Sequence, residues 1–252
     1  MNKITLTAIA ICISAFANAQ SLVGHRGSIY GLENSKASFT NGCKLGYEFL
    51  ETDIRVTKDS VIVCSHDETT ERLGGNLKIA DATLAELKAE NLSQTRNGTH
   101  YDGEICTFQE YLDICKENNV LPLIELKWST GINNNDFSNI PMLVDIIESN
   151  GFRDSCIILT SMKNCLEYIR ENYPDITLQF LTGQYWPNHF DWCIDKKIDV
   201  DIQNGYFEAD DVKKFHEHGL KVNVWTVNDS DLFEKYSDMD CDFITTDKYV
   251  KQ

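Results

Sequence analysis

Short apolar and β-branched runs alternate with longer amphipathic segments along most of the chain. The short runs are typical of buried strands, and the amphipathic segments of helices that cover a sheet. The pattern predicts strands over residues 21–25, 49–56, 61–66, 120–127, 156–161, 177–181, 198–202, 220–227 and 242–245. It predicts helices over residues 35–45, 84–89, 108–118, 140–150, 163–171, 189–196, 210–218 and 230–236.

Strands that alternate with helices predict a parallel sheet with helices on its faces. The run 61–66 is an exception, because only Lys58, Asp59 and Ser60 separate it from the strand before, so it is interpreted as a hairpin return. Eight strands remain in a chain of this length, which favours an α/β fold of the closed (β/α)8 TIM-barrel type. The polar stretch 72–103 interrupts the alternation and is interpreted as a small insertion after the strand-two hairpin, over one end of the barrel.

The first 19 residues differ from the rest. A lysine is followed by a short apolar run and then by Ala17, Asn18 and Ala19, the small-residue pattern of a signal-peptidase site. We expect a signal peptide over 1–19, cleavage near Ala19, and a barrel domain over 20–252. The expected location is therefore periplasmic or extracellular, without stable membrane insertion, since the apolar run is too short for a spanning helix.

Charge and composition narrow the function classes. The 39 acidic and 23 basic side chains give a net charge of -16, and no run of Lys or Arg occurs, so nucleic-acid binding is not expected. The excess of carboxylates is compatible with a divalent cation. Eight cysteines follow residue 19, an even number, which leaves both disulfides and buried free thiols open.

In a TIM barrel, catalytic groups lie at the C-terminal ends of the strands. The polar or aromatic residues predicted there are His25 and Arg26 after the first strand, Glu51 and Asp53 in the second, His66 in the hairpin return, Glu125 and Lys127 in the third, and Trp225 in the seventh. Taken singly, each has a structural explanation, such as a solvated strand end or a surface ion pair. Their joint placement at one end favours a functional site.

Residues two apart on a strand share a face, so Glu51 and Asp53 point the same way. Together with Glu125 they bring three carboxylates to one place. Converging anions repel one another in a partly buried site, and a cation that prefers oxygen ligands relieves this repulsion. The sequence therefore predicts a divalent metal site of Glu51, Asp53 and Glu125. Trp225 is predicted to line the substrate pocket, with packing inside the barrel as the alternative.

Seven motifs carry a family resemblance across the chain: Gly24-His25-Arg26-Gly27, Glu33-Asn34-Ser35, Glu51-Thr52-Asp53 with Thr57-Lys58-Asp59, His66-Asp67, Ile124-Glu125-Leu126-Lys127, Trp225-Thr226-Val227-Asn228 and Ile244-Thr245-Thr246-Asp247. In this order they resemble the glycerophosphodiester phosphodiesterase family. The resemblance implies a (β/α)8 barrel that hydrolyses small-molecule glycerophosphodiesters to glycerol 3-phosphate and an alcohol, with one divalent cation, Ca²⁺ or Mg²⁺.

The resemblance also implies roles for individual residues. His25 and His66 would form the acid–base pair, acting through a cyclic phosphate, while Glu51, Asp53 and Glu125 hold the metal. Arg26 and Lys127 would bind the substrate phosphate. The chain departs from the family pattern at Leu32, Ser60 and Cys106 and over 68–72, which leaves the alcohol group of the substrate open.

Two alternatives remain at this point. A related barrel phospholipase would act on an intact phospholipid or sphingolipid and would need an exposed apolar rim to reach a bilayer. A non-catalytic exported binding module would be expected to lack at least one of the histidines or carboxylates, and all of them are present. The sequence does not assign the acid and base roles between the two histidines, nor the oligomeric state.

Overall fold

The computed structural model describes residues 20–248, so the predicted signal peptide lies outside the described residues. The strands in this part are β1 (Ser21–Gly24), β2 (Phe49–Val56), β3 (Ile62–Cys64), β4 (Leu92–Arg96), β5 (Thr99–Gly103), β6 (Cys106–Thr107), β7 (Leu121–Leu126), β8 (Ile157–Thr160), β9 (Thr177–Thr182), β10 (Asp199–Gln203), β11 (Val222–Trp225) and β12 (Phe243–Thr246). The helices are α1 (Lys36–Lys44), α2 (Leu84–Lys88), α3 (Phe108–Asn118), α4 (Ile140–Ser149), α5 (Lys163–Asn172), α6 (Phe190–Lys196), α7 (Ala209–Glu217) and α8 (Ser230–Asp238).

Eight parallel strands close into a barrel. Their order is β1, β2, β7, β8, β9, β10, β11 and β12, and β12 pairs with β1 through Leu22 and Ile244. The predicted (β/α)8 fold is confirmed. The predicted and observed bounds of β2 and α3 coincide, and most other barrel elements differ by one or two residues at an end.

Two apolar layers hold the barrel. An inner cluster fills the space between the strands with Val23, Phe49, Leu123, Ile157, Leu159 and Phe243. Alternate residues of the same strands, such as Leu50 and Ile124, face outward and pack with the helices in the larger core. Parallel strands are buried on both faces, which explains why all eight residues of β2 are buried although three carry charge.

Local signals in the sequence set the helix limits. Helix α3 begins after Thr107, whose hydroxyl accepts a bond from the backbone N–H of Glu110 at 3.2 Å, while the Glu110 carboxylate accepts one from the Thr107 N–H at 2.8 Å. This reciprocal arrangement satisfies two otherwise free donors at the helix start. The helix ends at Asn118, and the capping residue Asn119 adopts a left-handed conformation with a φ of 55°.

The insertion is better ordered than its polar composition suggests. Strands β4 and β5 form an antiparallel hairpin that the sequence analysis did not predict, and β3 and β6 extend the sheet from β2. The insertion also shares a small apolar core with neighbouring loops, made of Leu32, Val63, Ile79, Ala82, Leu87, Leu92 and Ile105. It is therefore a packed cover and not a loose polar segment.

The eight cysteines after residue 19 are free thiols, seven of them buried, which favours the second of the two interpretations of the cysteine pattern. Between residues 20 and 248, no helix combines the length and the apolar character that crossing a membrane requires.

Candidate active site

Three carboxylates meet at the C-terminal end of the barrel. Glu51 and Asp53 are inward-facing residues of β2, and Asp53 is the register partner of Glu125 on β7. One oxygen of each carboxylate lies within 4.8 Å of the other two. Glu51 and Asp53 are almost fully buried, so solvent does little to screen the repulsion between them.

The pKa directions follow from this crowding. Burial raises the pKa of Glu51 well above its usual range, and the charges of Asp53 and Glu125 add to the effect. Burial and the charge of Asp53 also raise the pKa of Glu125, to about 7. One oxygen of Glu51, Oε1, is buried without a hydrogen-bond partner within residues 20–248. A cluster of carboxylate oxygens that repel one another, one of them without a partner, fits a divalent cation such as Ca²⁺ or Mg²⁺.

Asp53 differs from its two neighbours because cations surround it. Its Oδ1 is 3.1 Å from Lys127 Nζ, and its Oδ2 is 3.4 Å from Arg26 Nε. Burial alone would raise the pKa of Asp53, but Lys127 and Arg26 outweigh burial and hold it below the usual range. Asn34 fixes the carboxylate further, since its side-chain amide donates to Oδ2 at 2.7 Å.

A tight turn after β1 places His25 and Arg26. Gly27 has a φ of 90°, and a Cβ there would lie 2.7 Å from the backbone carbon of Ser38, so only glycine fits without displacement. The turn directs the Arg26 N–H at Glu51 Oε2, at 2.6 Å. It thus couples the first strand end to the carboxylate group.

Each predicted catalytic histidine contacts a carboxylate through Nδ1. His25 Nδ1 is 3.1 Å from Asp247 Oδ1, and His66 Nδ1 is 2.7 Å from Asp67 Oδ1. Such a contact orients the ring and leaves Nε2 for proton transfer. Burial lowers the pKa of His66, with the nearby cations Lys127 and Arg26 acting in the same direction against Asp53 and Asp67, which favours its neutral form.

Arg55 fixes the loop that carries His66. Its guanidinium donates from Nη2 to the His66 carbonyl at 2.8 Å and from Nη1 to the Trp128 carbonyl at 2.7 Å. It therefore connects the hairpin return to the loop after β7, which carries Lys127. Lys127 Nζ itself lies 2.5 Å from Glu125 Oε1.

A cavity of about 90 Å³ opens among these groups. All but one of the residues that the sequence analysis singled out line it, together with four others: His25, Arg26, Glu51, His66, Glu125, Lys127, Leu159, Leu181, Asp201, Trp225 and Thr245. The exception, Asp53, lies behind Arg26 and Lys127. A larger cavity of about 330 Å³ contains Arg55 and Trp128 but none of the predicted catalytic or metal-binding side chains, so the smaller cavity is the candidate site.

Several functional candidates were missed in the sequence. Asn34 and Asp247 lie in the family motifs but were given no role. Asp247 directly follows β12, and a polar residue at a strand end of a barrel is a usable signal for a site residue. Asp201 alternates with the apolar residues Val200 and Ile202 in β10, and its inward position at the cavity was not recognised. Arg55 shares the face of β2 that carries Glu51 and Asp53, so the two-residue repeat was a usable signal for it as well.

Glu33 should make the stability of the protein depend on pH in the acidic range. Its buried carboxylate accepts hydrogen bonds from Arg72 and from Gln94, and it pairs with Arg26. Burial alone would raise its pKa, but these partners lower it from 4.5 to about 2.

A group with a lowered folded-state pKa stabilises the protein above the unfolded value and loses that contribution as the pH falls through the folded value. With chelator present throughout, we expect the free energy of unfolding to fall between about pH 4.5 and pH 2, Glu33 contributing on the order of 3 kcal/mol. Urea titrations of Glu33→Gln should show a shallower fall over this range. The exposed control Glu68→Gln should keep the wild-type slope, and equal slopes for Glu33→Gln and wild type would contradict the assignment.

The chain is similar to known proteins over most of its length. The model of the glycerophosphoryl diester phosphodiesterase family matches residues 24–251. A glycerophosphodiester phosphodiesterase of Caldanaerobacter subterraneus is 26% identical over 235 residues, covering 90% of this chain and 93% of the relative. A human lysophospholipase D is 31% identical over 131 residues, 51% of this chain and 36% of its own length.

Solved structures share the fold. An Oleispira antarctica phosphodiesterase in complex with the product sn-glycerol-3-phosphate superposes with a TM-score of 0.79 at 21% identity, covering 90% of this chain and 92% of that one. A glycerophosphodiester phosphodiesterase of Parabacteroides distasonis gives 0.73 at 24% identity, covering 90% and 92%. Because the family model spans nearly all of the described barrel and every site motif, the chain belongs to the glycerophosphoryl diester phosphodiesterase family and is a phosphoric diester hydrolase.

Proposed function

We propose that this protein hydrolyses glycerophosphodiesters to glycerol 3-phosphate and an alcohol, with one divalent cation and with His25 and His66 as the acid–base pair. The observation that carries the proposal is that one small cavity is lined by both histidines, by two of the three clustered carboxylates, and by Arg26 and Lys127. These are the groups that phosphodiester cleavage requires: charge neutralisation, a base and an acid.

Glu51, Asp53 and Glu125 would hold the cation, Ca²⁺ or Mg²⁺. When bound, it would neutralise charge on the phosphodiester and polarise the phosphorus centre. Arg26 and Lys127 already lie against the carboxylate group, and both border the cavity. They can donate to the non-bridging phosphate oxygens, which fixes the phosphorus between the two imidazoles.

One imidazole removes the proton from an attacking oxygen, and the other protonates the departing alkoxide. In the proposed route the attacking oxygen is the glycerol hydroxyl next to the phosphate ester. Its attack forms a cyclic phosphate and releases the alcohol, and water then opens the ring. A hydroxyl in the same molecule has a large effective concentration compared with free water.

A panel of glycerophosphodiesters with identification of the products tests this proposal. Glycerophosphocholine and glycerophosphoethanolamine should each give glycerol 3-phosphate and the free alcohol. An analogue without the vicinal hydroxyl should react at least about 100-fold more slowly. Equal rates for the analogue would contradict the cyclic route, and a phosphorylated alcohol in place of glycerol 3-phosphate would contradict the proposed bond cleavage.

The partial likeness to a human lysophospholipase D favours one second candidate, hydrolysis of a phospholipid. The same panel distinguishes the two, since it can include lysophosphatidylcholine. Faster turnover of that lipid than of glycerophosphocholine would favour the lipid substrate.

We also propose that the protein is exported, with its mature form beginning near Gln20. The support is the apolar run and the Ala17-Asn18-Ala19 pattern that follows it. N-terminal sequencing of the protein from its native host should start near Gln20. A soluble protein that retains Met1 would contradict export by this route.

A further inference from the structure

One buried carboxyl at the cavity has no part in the mechanism proposed above. Asp201 occupies the middle of β10 and is 3% exposed. Its Oδ1 is buried and has no hydrogen-bond partner within residues 20–248. In the strand order of the barrel, β10 lies four strands from β2, so Asp201 faces the cavity from the side opposite to Glu51 and Asp53.

Trp225 is a second unpaired group on this side of the cavity. Its indole Nε1 is buried and also lacks a partner in the described part of the chain. The register pairs Asp201 with Asn223 and Gln203 with Trp225 on β11, so Asp201 and Trp225 are diagonal neighbours on the inward face. One of these groups carries carboxyl oxygens and the other is an N–H donor.

Nearby polar side chains bond to one another, and none of them forms a hydrogen bond with Asp201 Oδ1 or Trp225 Nε1. Asn223 donates to Gln179 at 3.1 Å, and Thr245 donates to Asn223 at 3.0 Å. The remaining lining on this side is apolar, from Leu159 and Leu181. A buried polar atom without a partner costs about 1–3 kcal/mol, so this pair is matched to a group from outside the chain.

We propose that Asp201 and Trp225 bind the terminal hydroxyl of the substrate's glycerol group, the one that does not attack phosphorus. This assignment rests on the proposed function and deepens it. A hydroxyl can accept from Trp225 Nε1 and bond to Asp201 Oδ1 at the same time, since it is both donor and acceptor. The small cavity holds this hydroxyl opposite the carboxylate cluster, with the phosphate between them.

Other groups match the pair less well. A quaternary ammonium has neither an N–H donor nor an acceptor, and an acyl chain has no polar atom, so each would leave both atoms unpaired.

A pair of substrates that differ by one oxygen tests the assignment. The first is glycerophosphocholine, and the second is its analogue built on propane-1,2-diol, which keeps the vicinal hydroxyl and lacks the terminal one. Wild-type protein should prefer the first in kcat/KM by roughly 10- to 100-fold. Asp201→Leu should lose most of this preference, mainly through its rate on the glycerol ester, and should bring the ratio below about 3.

Two further variants keep the test decisive. Trp225→Phe retains an aromatic ring without Nε1 and should also reduce the preference. Asp199→Asn is the control. Asp199 is the first residue of β10 and shares a face with Asp201, but it does not line the cavity, and its carboxylate accepts a hydrogen bond from the Lys221 N–H. This variant should keep the wild-type ratio. Equal rates of wild type on both esters, or an unchanged ratio in both Asp201→Leu and Trp225→Phe, would overturn this assignment and leave the proposed function standing. Wild-type protein that cleaves neither ester would overturn the proposed function and this assignment with it.

Discussion

Replacing either His25 or His66 by alanine should lower kcat on glycerophosphocholine by at least about 100-fold, because each imidazole is assigned one of the two proton transfers. The two single variants and the double variant should have similar residual rates, since both groups serve the same step. Metal affinity should stay near the wild-type value, because neither histidine belongs to the carboxylate group. Steady-state kinetics and calorimetric titration of the cation measure the two quantities separately.

His100 provides the matched control. It lies on the exposed hairpin strand β5, and its imidazole contacts Asp102 at 3.1 Å. His100→Ala should retain wild-type kcat. A His25→Ala or His66→Ala variant with more than about a third of the wild-type kcat would remove that residue from the acid–base pair.

Glu51→Gln should abolish stable cation binding and lower activity by about two to three orders of magnitude, the loss typical when a charge-stabilising group is removed from an active site. The amide keeps the shape of the side chain but removes a negative charge from the three-carboxylate group. The fold should survive, because the substitution removes both the cost of a buried charge and the repulsion from Asp53 and Glu125, which together raise the pKa of Glu51. Metal content of the dialysed protein, its activity and its thermal unfolding measure these effects.

Glu68→Gln is the control for this variant, since Glu68 is exposed and follows His66 and Asp67 in the same loop. It should bind the cation and turn over like wild type. If Glu51→Gln retained one equivalent of cation with wild-type affinity, Glu51 would not be a ligand.

Much of the barrel could be predicted because its signals are local. Apolar strands between amphipathic helices, and capping residues such as Thr107 and Asn119, place the elements to within a residue or two. The hairpin of the insertion was missed although it has a local signal of its own. Asn97 and Gly98 both have positive φ at its turn, as an Asn-Gly pair between two strands favours. The polar strands on either side hid that signal, because neither shows clean alternation.

The site was predictable where strand position alone determines proximity. Glu51, Asp53 and Glu125 come together because they share an inward face at one end of adjacent strands. Contacts that depend on chain closure could not be found in this way. Asp247 reaches His25 only because β12 pairs with β1, more than 200 positions earlier in the chain.

Asp201 illustrates the opposite difficulty. An acidic residue that alternates with apolar residues in a strand, as both Asp199 and Asp201 do, can belong to a buried network, to a strand edge or to a ligand site, and the sequence does not distinguish them. Only the arrangement of the barrel shows that the residue faces the cavity, opposite β2, with an oxygen that lacks a partner in the described part of the chain.

The most direct test of the account is the rate at which wild-type protein releases glycerol 3-phosphate from glycerophosphocholine before and after removal of divalent cations. Chelated and dialysed protein should have less than about 1% of the original rate, and one equivalent of Ca²⁺ or Mg²⁺ per chain should restore it. Glu51→Gln should not recover at the same cation concentration. Full turnover by wild-type protein stripped of metal would contradict the central claim that the three carboxylates act by holding a cation.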